Sequence, residues 1–323
     1  METIDVLIRR KGTHGMPTEP YGAAIRERLP DHNVVVAHTP DEEASLIKRA
    51  RVLSSVHVSQ ELLEKAETLE LFAGVAAGYD HLPLDQFSKQ GVIVTNAAGI
   101  HAPNIAEQVL GYILMHTRRL EIAINQTQRS HWQHFQAGEL NGSTVTVVGL
   151  GAIGMAVVDR LRGFGVETIG VRYTPSKGGP TDEVIGFDDA KLQSALARTD
   201  YLILAAPLSE TTRGLIDKRA FDTLPPDCYL VNVGRGPVVD TDDLVTALRS
   251  DELSGAGLDV TDPEPLPADH PLWDFNNVII TPHNAGHTPK HWERLADIVA
   301  MNVEQLDTQD QSGEFVNVIQ QPE

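Results

Sequence analysis

Short apolar runs alternate with stretches of helical periodicity along most of the chain. The first hundred residues contain four such runs and three helical patterns, the runs at 6–8, 34–37, 71–73 and 92–95 and the patterns at 23–29, 41–50 and 59–66. This alternation is typical of βα units that build a parallel sheet. The pattern therefore predicts an α/β domain in this part of the chain.

The alternation starts again at position 144 and continues through six apolar runs. They lie at 144–148, 168–171, 201–205, 229–233, 256–258 and 278–281. Six strands with intervening helices make a complete Rossmann sheet. Polar residues follow several of these runs abruptly, and open α/β sheets bind ligands at the carboxyl ends of their strands.

Two further helical patterns organise the chain into domains. One begins at Asn104, which forms a possible capping box with Glu107, and runs to about Arg119. An amphipathic pattern over 289–306 is expected to return to the first domain. We therefore predict two doubly wound parallel-sheet domains with an interdomain cleft, a flavodoxin-like domain over 1–98 and 288–323 and a Rossmann domain over 99–287.

The apolar run 144–148 breaks into three glycines before a helical pattern begins. Their spacing is G-x-G-x-x-G, in which the first glycine allows a tight turn, the second lets the backbone approach a pyrophosphate, and the third allows close helix packing. A helix that starts here presents N–H groups and the positive end of its dipole to the pyrophosphate. We therefore expect a dinucleotide to bind at Gly149-Leu150-Gly151-Ala152-Ile153-Gly154.

A second segment of small residues follows the apolar run 71–73. It is Gly74-Val75-Ala76-Ala77-Gly78-Tyr79-Asp80, and its small side chains leave backbone N–H groups uncovered. Such a loop can hold an anion. The alternative is a tight turn whose backbone conformation requires Gly78.

Three polar residues near the ends of later apolar runs are candidates for chemistry. Arg235 lies between two glycines after the run 229–233, and its planar fork of donors can clamp a carboxylate and polarise a carbonyl. His283 follows Thr281-Pro282, and Glu264 lies in a proline-rich loop. A carboxylate beside an imidazole orients the ring and favours the imidazolium, which can act as a general acid. The alternative is an ordinary surface arginine and an isolated histidine.

Together these motifs resemble those of the D-isomer-specific 2-hydroxyacid dehydrogenases along nearly the whole chain. Four segments carry the resemblance in the family's order, namely the glycine loop, Asn232-Val233-Gly234-Arg235-Gly236, Gly257-Leu258-Asp259-Val260 with Pro263-Glu264-Pro265, and Thr281-Pro282-His283 with Gly286. The resemblance implies hydride transfer between NAD(P)H and a small 2-oxo acid, which gives the D-2-hydroxy acid. It also implies that the first domain binds the substrate and the Rossmann domain binds the cofactor.

The same resemblance implies a role for each motif. Arg235 binds the substrate carboxylate and carbonyl, His283 passes the proton, and Glu264 pairs with His283. The substrate carboxylate lies on the backbone of Ala76, Ala77, Gly78 and Tyr79. Asp259 meets the nicotinamide carboxamide, and the remaining cofactor contacts are Ala206, Pro207, Leu208, Thr212, Val233, Gly234 and Gly286. No metal site is implied.

The end of the second Rossmann strand indicates which dinucleotide is preferred. NAD-dependent relatives carry an Asp or Glu there, which bonds the ribose 2′-hydroxyl. In this chain Arg172 stands at that point and is followed by Tyr173-Thr174-Pro175-Ser176-Lys177. Because two cations and several hydroxyls can bind a 2′-phosphate, the sequence favours NADP(H). NAD(H) stays possible if Arg172 points to solvent.

Composition limits the partners of the protein. A chain of 323 residues with 41% hydrophobic content can fill two cores. Its net charge of -19 argues against nucleic acid, which needs clustered cations. Only 8 of its 26 basic residues are lysine, and an acidic, lysine-poor surface is similar to those of proteins from salt-accumulating halophiles. The alternative is an ordinary acidic enzyme.

No apolar run is long enough to span a bilayer, and the first ten residues resemble a strand rather than a signal peptide. We therefore expect a cytoplasmic protein without a membrane partner. The single Cys228 cannot form an intramolecular disulfide and is expected to be a buried structural thiol. Family resemblance further implies a homodimer that uses the segment 104–140.

Two other functions fit the same motifs. A dinucleotide-sensing corepressor shares the fold but binds peptides instead of turning over a substrate, and it usually has longer flanking segments. A phosphite dehydrogenase keeps a similar triad. The substrate side chain is left open as well, because Tyr79, a loop over 53–57 and Trp292 are all candidates to line its pocket.

Overall fold

The computed structural model describes residues 3–79, 81–308 and 314–321. Asp80 of the predicted anion-binding loop lies outside them. The chain divides into two compact units. Unit 1 comprises Met1–Ile100 and Thr288–Glu323, and unit 2 comprises His101–His287.

The first hundred residues of unit 1 form five parallel strands with four helices. The strands are β1 (Ile4–Ile8), β2 (Val34–Val36), β3 (Ala50–Ser55), β4 (Leu71–Gly74) and β5 (Ile93–Thr95), and the helices are α1 (Glu19–Arg28), α2 (Pro40–Leu46), α3 (Gln60–Leu63) and α4 (Leu84–Lys89). The strands are arranged in the order β5-β4-β3-β1-β2. The four predicted strands and the three predicted helices are present, whereas β3 and α4 were not predicted.

Strand β3 corrects the prediction for residues 50–57. The sequence pattern ends a helix at 50 and places a loop at 53–57, but residues 50–55 form a central strand between β1 and β4. Leu53 is fully buried, so this part of the predicted pocket loop lies in the core. The strand is hard to detect because Ser54 is also buried, where its hydroxyl bonds the Ala73 carbonyl and the Tyr21 hydroxyl.

Unit 2 contains a seven-stranded parallel sheet. Its elements are α5 (Ala102–Thr117), α6 (Leu120–Gln128), β6 (Thr144–Val148), α7 (Ala152–Leu161), β7 (Glu167–Val171), β8 (Glu183–Ile185), α8 (Asp189–Leu196), β9 (Tyr201–Leu204), α9 (Lys218–Thr223), β10 (Tyr229–Asn232), α10 (Thr241–Arg249), β11 (Gly255–Leu258) and β12 (Val278–Ile280). The strand order is β12-β11-β10-β9-β6-β7-β8. The six predicted strands are present, and β8 is an additional edge strand that pairs with β7.

The start of α5 also differs from the prediction. Asn104 does not cap this helix, which begins at Ala102 with His101 in the cap position and a proline in its first turn. Proline is favoured there because its missing N–H needs no partner at a helix start. The Asn104 side chain instead donates from Nδ2 to the Ala285 carbonyl at 2.6 Å.

The last part of the chain returns to unit 1 as α11 (His291–Asp307) and β13 (Val318–Gln320). Trp292 of α11 stacks on Tyr21 of α1 with ring centroids 4.7 Å apart. Strand β13 pairs antiparallel with β5 and so completes a six-stranded sheet. The sequence pattern did not predict this strand, because its three residues pack as a partly exposed edge.

Two further observations concern the chain as a whole. Cys228 is fully buried at the start of β10, and this burial raises the pKa of its thiol, as expected for a structural cysteine. None of the helices among the described residues is long and apolar enough to span a bilayer.

Candidate active site

The loop between β6 and α7 forms the first part of the site. Gly149 has a φ of +100°, and a Cβ added to it would lie 2.6 Å from the Ala206 backbone nitrogen. A Cβ on Gly154 would collide with the Gly149 carbonyl, whereas one on Gly151 would meet no atom within 4 Å. The protein's own packing thus requires the outer two glycines, and the open space beside Gly151 suits the close approach of a ligand to the backbone.

A cavity of about 620 Å³ opens beside this loop. This volume is within the range of small-molecule sites, which is roughly 300–1,000 Å³. Its lining includes predicted cofactor residues and four that the sequence did not suggest: Gly149, Leu150, Gly151, Arg172, Tyr173, Thr174, Lys177, Ala206, Pro207 and Thr212, with Phe187, Ser209, Glu210 and Thr211 in addition. The cavity therefore lies where the fingerprint predicts a dinucleotide.

The turn after β9 is held in shape by the hydroxyl of Thr212. Thr212 Oγ1 donates to the Pro207 carbonyl at 2.7 Å and accepts from the Ser209 N–H at 2.9 Å. This arrangement brings Pro207 and Thr212 to the cavity wall. Leu208, between them, packs against the hydrophobic core and is not among the lining residues.

Arg172 lies at the end of β7, as the sequence predicts, and lines the cavity. Its Nη1 donates to the Gly178 carbonyl at 2.5 Å, which ties the guanidinium to the turn that carries Lys177. Tyr173 is 82% exposed. Arg172 and Lys177 thus line the same cavity, and the carboxylate-bearing residue Glu210 lines it as well.

A second cavity in unit 2, of about 520 Å³, contains the candidate acid. His283 Nδ1 lies 2.6 Å from Glu264 Oε1, and both side chains line this cavity while remaining roughly half exposed. Trp273 also lines it, a residue that the sequence analysis did not select. The imidazole is thus held by a carboxylate at one nitrogen, and a ring in this arrangement can exchange a proton with a ligand through Nε2.

Asp259 fixes the backbone around His283. This buried carboxylate accepts hydrogen bonds from Thr281 Oγ1 and from the N–H groups of Asn284 and Ala285, at 2.5 to 3.0 Å. His283 itself has a φ of +52°, a left-handed conformation that is unusual for a residue with a side chain. Such conformations persist where the surroundings enforce them, and they are frequent in active sites.

Arg235 is exposed after β10, and its Nη1 donates to the Gly234 carbonyl at 2.7 Å. The Asn232 side chain bridges the turn by donating to the Arg235 carbonyl and accepting from the Gly234 N–H. Arg235 does not line either of the two cavities described here. Val233 and Gly234 are buried at the same strand end, and Gly286 is half-buried after the His283 loop.

The predicted anion loop of unit 1 begins at Gly74, the last residue of β4. Its carbonyls are engaged, since Ala76 O accepts from the Ala97 N–H and Ala77 O accepts from Asn96 Nδ2 at 2.6 Å. A Cβ added to Gly78 would meet no atom within 4 Å, and its φ is outside the left-handed region. The backbone therefore does not support the alternative of a turn that requires Gly78.

Comparison with known proteins relates these sites to a family. A family model described as "D-isomer specific 2-hydroxyacid dehydrogenase, NAD binding domain" matches residues 110–285. A glyoxylate reductase of Thermofilum pendens is 34% identical over 253 residues, which are 76% of this chain and 74% of that protein. The human glyoxylate reductase/hydroxypyruvate reductase is 34% identical over 260 residues, 78% of each chain.

A solved structure is similar over nearly the entire length. The NADPH-dependent glyoxylate/hydroxypyruvate reductase of Sinorhizobium meliloti, crystallised in complex with citrate, superposes with a TM-score of 0.73 and 27% identity. The match covers 98% of this chain and 97% of that one. Both units thus have counterparts in one known protein.

Proposed function

The chain belongs to the D-isomer specific 2-hydroxyacid dehydrogenase family and is an NAD(P)-dependent dehydrogenase, and we propose that it reduces a small 2-oxo acid with His283 as the general acid. The observation that carries this proposal is the 2.6 Å contact of His283 with Glu264, in the same unit as the glycine loop. Bound NAD(P)H supplies the hydride. The 2-hydroxy acid formed has the D configuration, as the family description states.

We assign the other site residues to binding and orienting the substrate and the cofactor. We assign the substrate carboxylate to the backbone N–H groups of Ala76, Ala77 and Gly78, which make no hydrogen bond within the described parts of the chain. Arg235 binds the carboxylate and polarises the carbonyl, since a guanidinium can do both. His283 Nε2 delivers the proton to the carbonyl oxygen, and Glu264 stabilises the imidazolium before that transfer.

Asp259 holds the His283 loop and can also meet the nicotinamide carboxamide, because its Oδ2 accepts only from the Ala285 N–H among the described residues.

We propose that NADP(H) is preferred over NAD(H). Support comes from Arg172 and Lys177, which line one cavity with Thr174 beside the glycine loop. A 2′-phosphate carries extra negative charge, and an arginine fork binds it by charge-assisted hydrogen bonds.

The cofactor proposal predicts a higher kcat/KM with NADPH than with NADH. Arg172→Gln should reduce the NADPH value about 10-fold or more, since one charge-assisted hydrogen bond contributes about 1.5–3 kcal/mol. The NADH value should change little. Arg213→Gln, which removes a charge from the turn after β9, is the control. An NADH advantage in the unmodified enzyme would contradict the preference.

We propose a homodimer that uses the segment 104–140. Helix α6 has no buried residue, and four large apolar side chains lie exposed in or beside it: Leu120, Ile124, Trp132 and Phe135. Trp132 is 97% exposed. Exposed apolar side chains concentrated in one segment indicate an interaction site, and a second copy of the chain would cover them.

We further propose that the acidic surface is suited to concentrated salt. The net charge of -19 and the low lysine content support this. Salt screens the mutual repulsion of surface carboxylates.

A further inference from the structure

Basic residues lie at the edge of the unit 1 sheet where its parallel strands end. The segment after β4 that is assigned to the substrate carboxylate, the β4 loop, lies at the same edge. Strands β4, β3 and β1 are neighbours in this sheet and run parallel, so their carboxyl ends share one edge. Arg9, Arg10 and Lys11 follow β1 directly, and His57 follows β3. The segment Arg9-Arg10-Lys11 is the one run of three consecutive cations in a sequence of net charge -19.

A buried carboxylate organises this edge. Glu43 is 3% exposed and accepts hydrogen bonds from Arg9 Nη2 at 2.7 Å and from the Arg10 N–H at 3.2 Å. Arg9 Nη1 donates to the His57 carbonyl at 2.5 Å, which joins the loops after β1 and β3. His81 Nε2 contacts the Val56 carbonyl at 2.8 Å and so joins the segment beyond the β4 loop to the same group. The three strand ends are thus fastened to one another.

The charges at this edge do not cancel. Glu43 is the carboxylate that pairs with Arg9 and Arg10, whereas Lys11 is exposed and has no ion pair within the part of the chain that the structure describes. The pKa of His57 is lowered by its partial burial and by the positive charges of Arg9, His81 and Lys11, against the opposing effect of Glu43. This lowering of the pKa favours the uncharged imidazole, which offers hydrogen bonds next to surplus cations.

The spacing of these groups fits one end of a small substrate. Neighbouring strands are about 4.8 Å apart, so the residues after β3 and β1 lie roughly 5 and 10 Å from the β4 loop. A carbon chain with three to four bonds of about 1.5 Å spans roughly 4 to 5 Å, which reaches the end of β3. The long side chains of Lys11 and Arg10 can cover the remaining strand spacing from β1. We infer that Lys11, Arg10 and His57 form a second anion subsite, which selects a 2-oxo acid with a further carboxylate or phosphate at its far end. This inference rests on the proposed function, which places the 2-oxo acid at the β4 loop.

The test compares pairs of substrates without and with an anionic group at the far end, with NADPH as the reductant. The pairs are 2-oxobutanoate with oxaloacetate, 2-oxopentanoate with 2-oxoglutarate, and hydroxypyruvate with 3-phosphonooxypyruvate. We expect kcat/KM to be at least tenfold higher for the compound with the additional anionic group in one or more pairs. The pair that shows the preference distinguishes a carboxylate from a phosphate.

Two variants connect this preference to the subsite. Lys11→Gln and His57→Gln should each reduce the ratio of kcat/KM within that pair, with the additional anionic group over without it, about fivefold or more. Lys48→Gln removes the same charge just before β3, at the opposite edge of the sheet, and should leave the ratio unchanged. A ratio of one or below in every pair, or an equal loss in Lys11→Gln and Lys48→Gln, would overturn the subsite and leave the reductase intact. If none of the six compounds is reduced, the proposed function fails together with the subsite.

Discussion

At the scale of single residues, the proposed chemistry depends on the hydrogen bond from His283 Nδ1 to Glu264 Oε1 at 2.6 Å. Glu264→Gln keeps the side-chain shape but removes its charge. We expect kcat to fall about 10- to 100-fold, because hydrogen bonds to charged groups contribute roughly 1.5–3 kcal/mol. KM should change less, since Glu264 acts on the imidazole and not on the substrate. Steady-state kinetics with NADPH and a 2-oxo acid measure both constants.

The control for this variant is Asp269→Asn. Asp269 is exposed in the segment that follows Glu264, so its replacement removes one carboxylate without affecting the imidazole. Glu264→Asp should restore part of kcat. Equal losses in the Glu264 and Asp269 variants, or a loss confined to KM, would show that the contact does not support proton transfer.

Much of this site is predictable because its residues follow strand ends. Arg172, Arg235 and His283 could each be located from an apolar run that stops at a polar residue. The positions of Phe187 and Trp273 in the cavity walls could not be predicted, because the path of a loop depends on tertiary packing that no local pattern records. The threefold hydrogen bonding of the Asp259 carboxylate was hidden for the same reason.

At the scale of elements, the regular βα alternation was predictable, and the exceptions have identifiable causes. Strand β3 contains an arginine and two serines, whose polarity is satisfied by tertiary contacts such as the ion pair of Arg51 with Glu70. Strands β8 and β13 have three residues each and lie at sheet edges, where few apolar side chains are needed. The equally short edge strands β2 and β12 were predicted because all three of their residues are apolar, whereas β8 contains Glu183 and β13 contains Gln320.

Helix α6 is the element that leads to a prediction about assembly. Leu120 and Ile124 lie four residues apart on one helix face and are 41% and 48% exposed. If a second copy covers this face, the protein sediments as a dimer at micromolar concentration. Ile124→Glu should shift it to the monomer, because the interface would then bury an unpaired charge.

Met301→Glu is the matched control for the dimer. Met301 lies on α11 in unit 1 and is 47% exposed, close to the value for Ile124. This variant should stay dimeric. Sedimentation of the unmodified protein as a monomer, or dissociation of both variants alike, would refute an interface at α6.

At the scale of the whole molecule, a net charge of -19 makes stability depend on ionic strength. Carboxylates on the surface repel one another over about 10 Å at 0.1 M salt but over only about 3 Å at 1 M. We therefore expect the midpoint of thermal unfolding to rise between 0.1 and about 2 M KCl. Potassium glutamate should act similarly at equal ionic strength, which separates screening from an effect specific to chloride. Because sulfate stabilises proteins by exclusion from their surface whatever their charge, it is left out of the series. A midpoint that is unchanged or lower at high KCl would indicate an ordinary acidic enzyme instead of one adapted to salt.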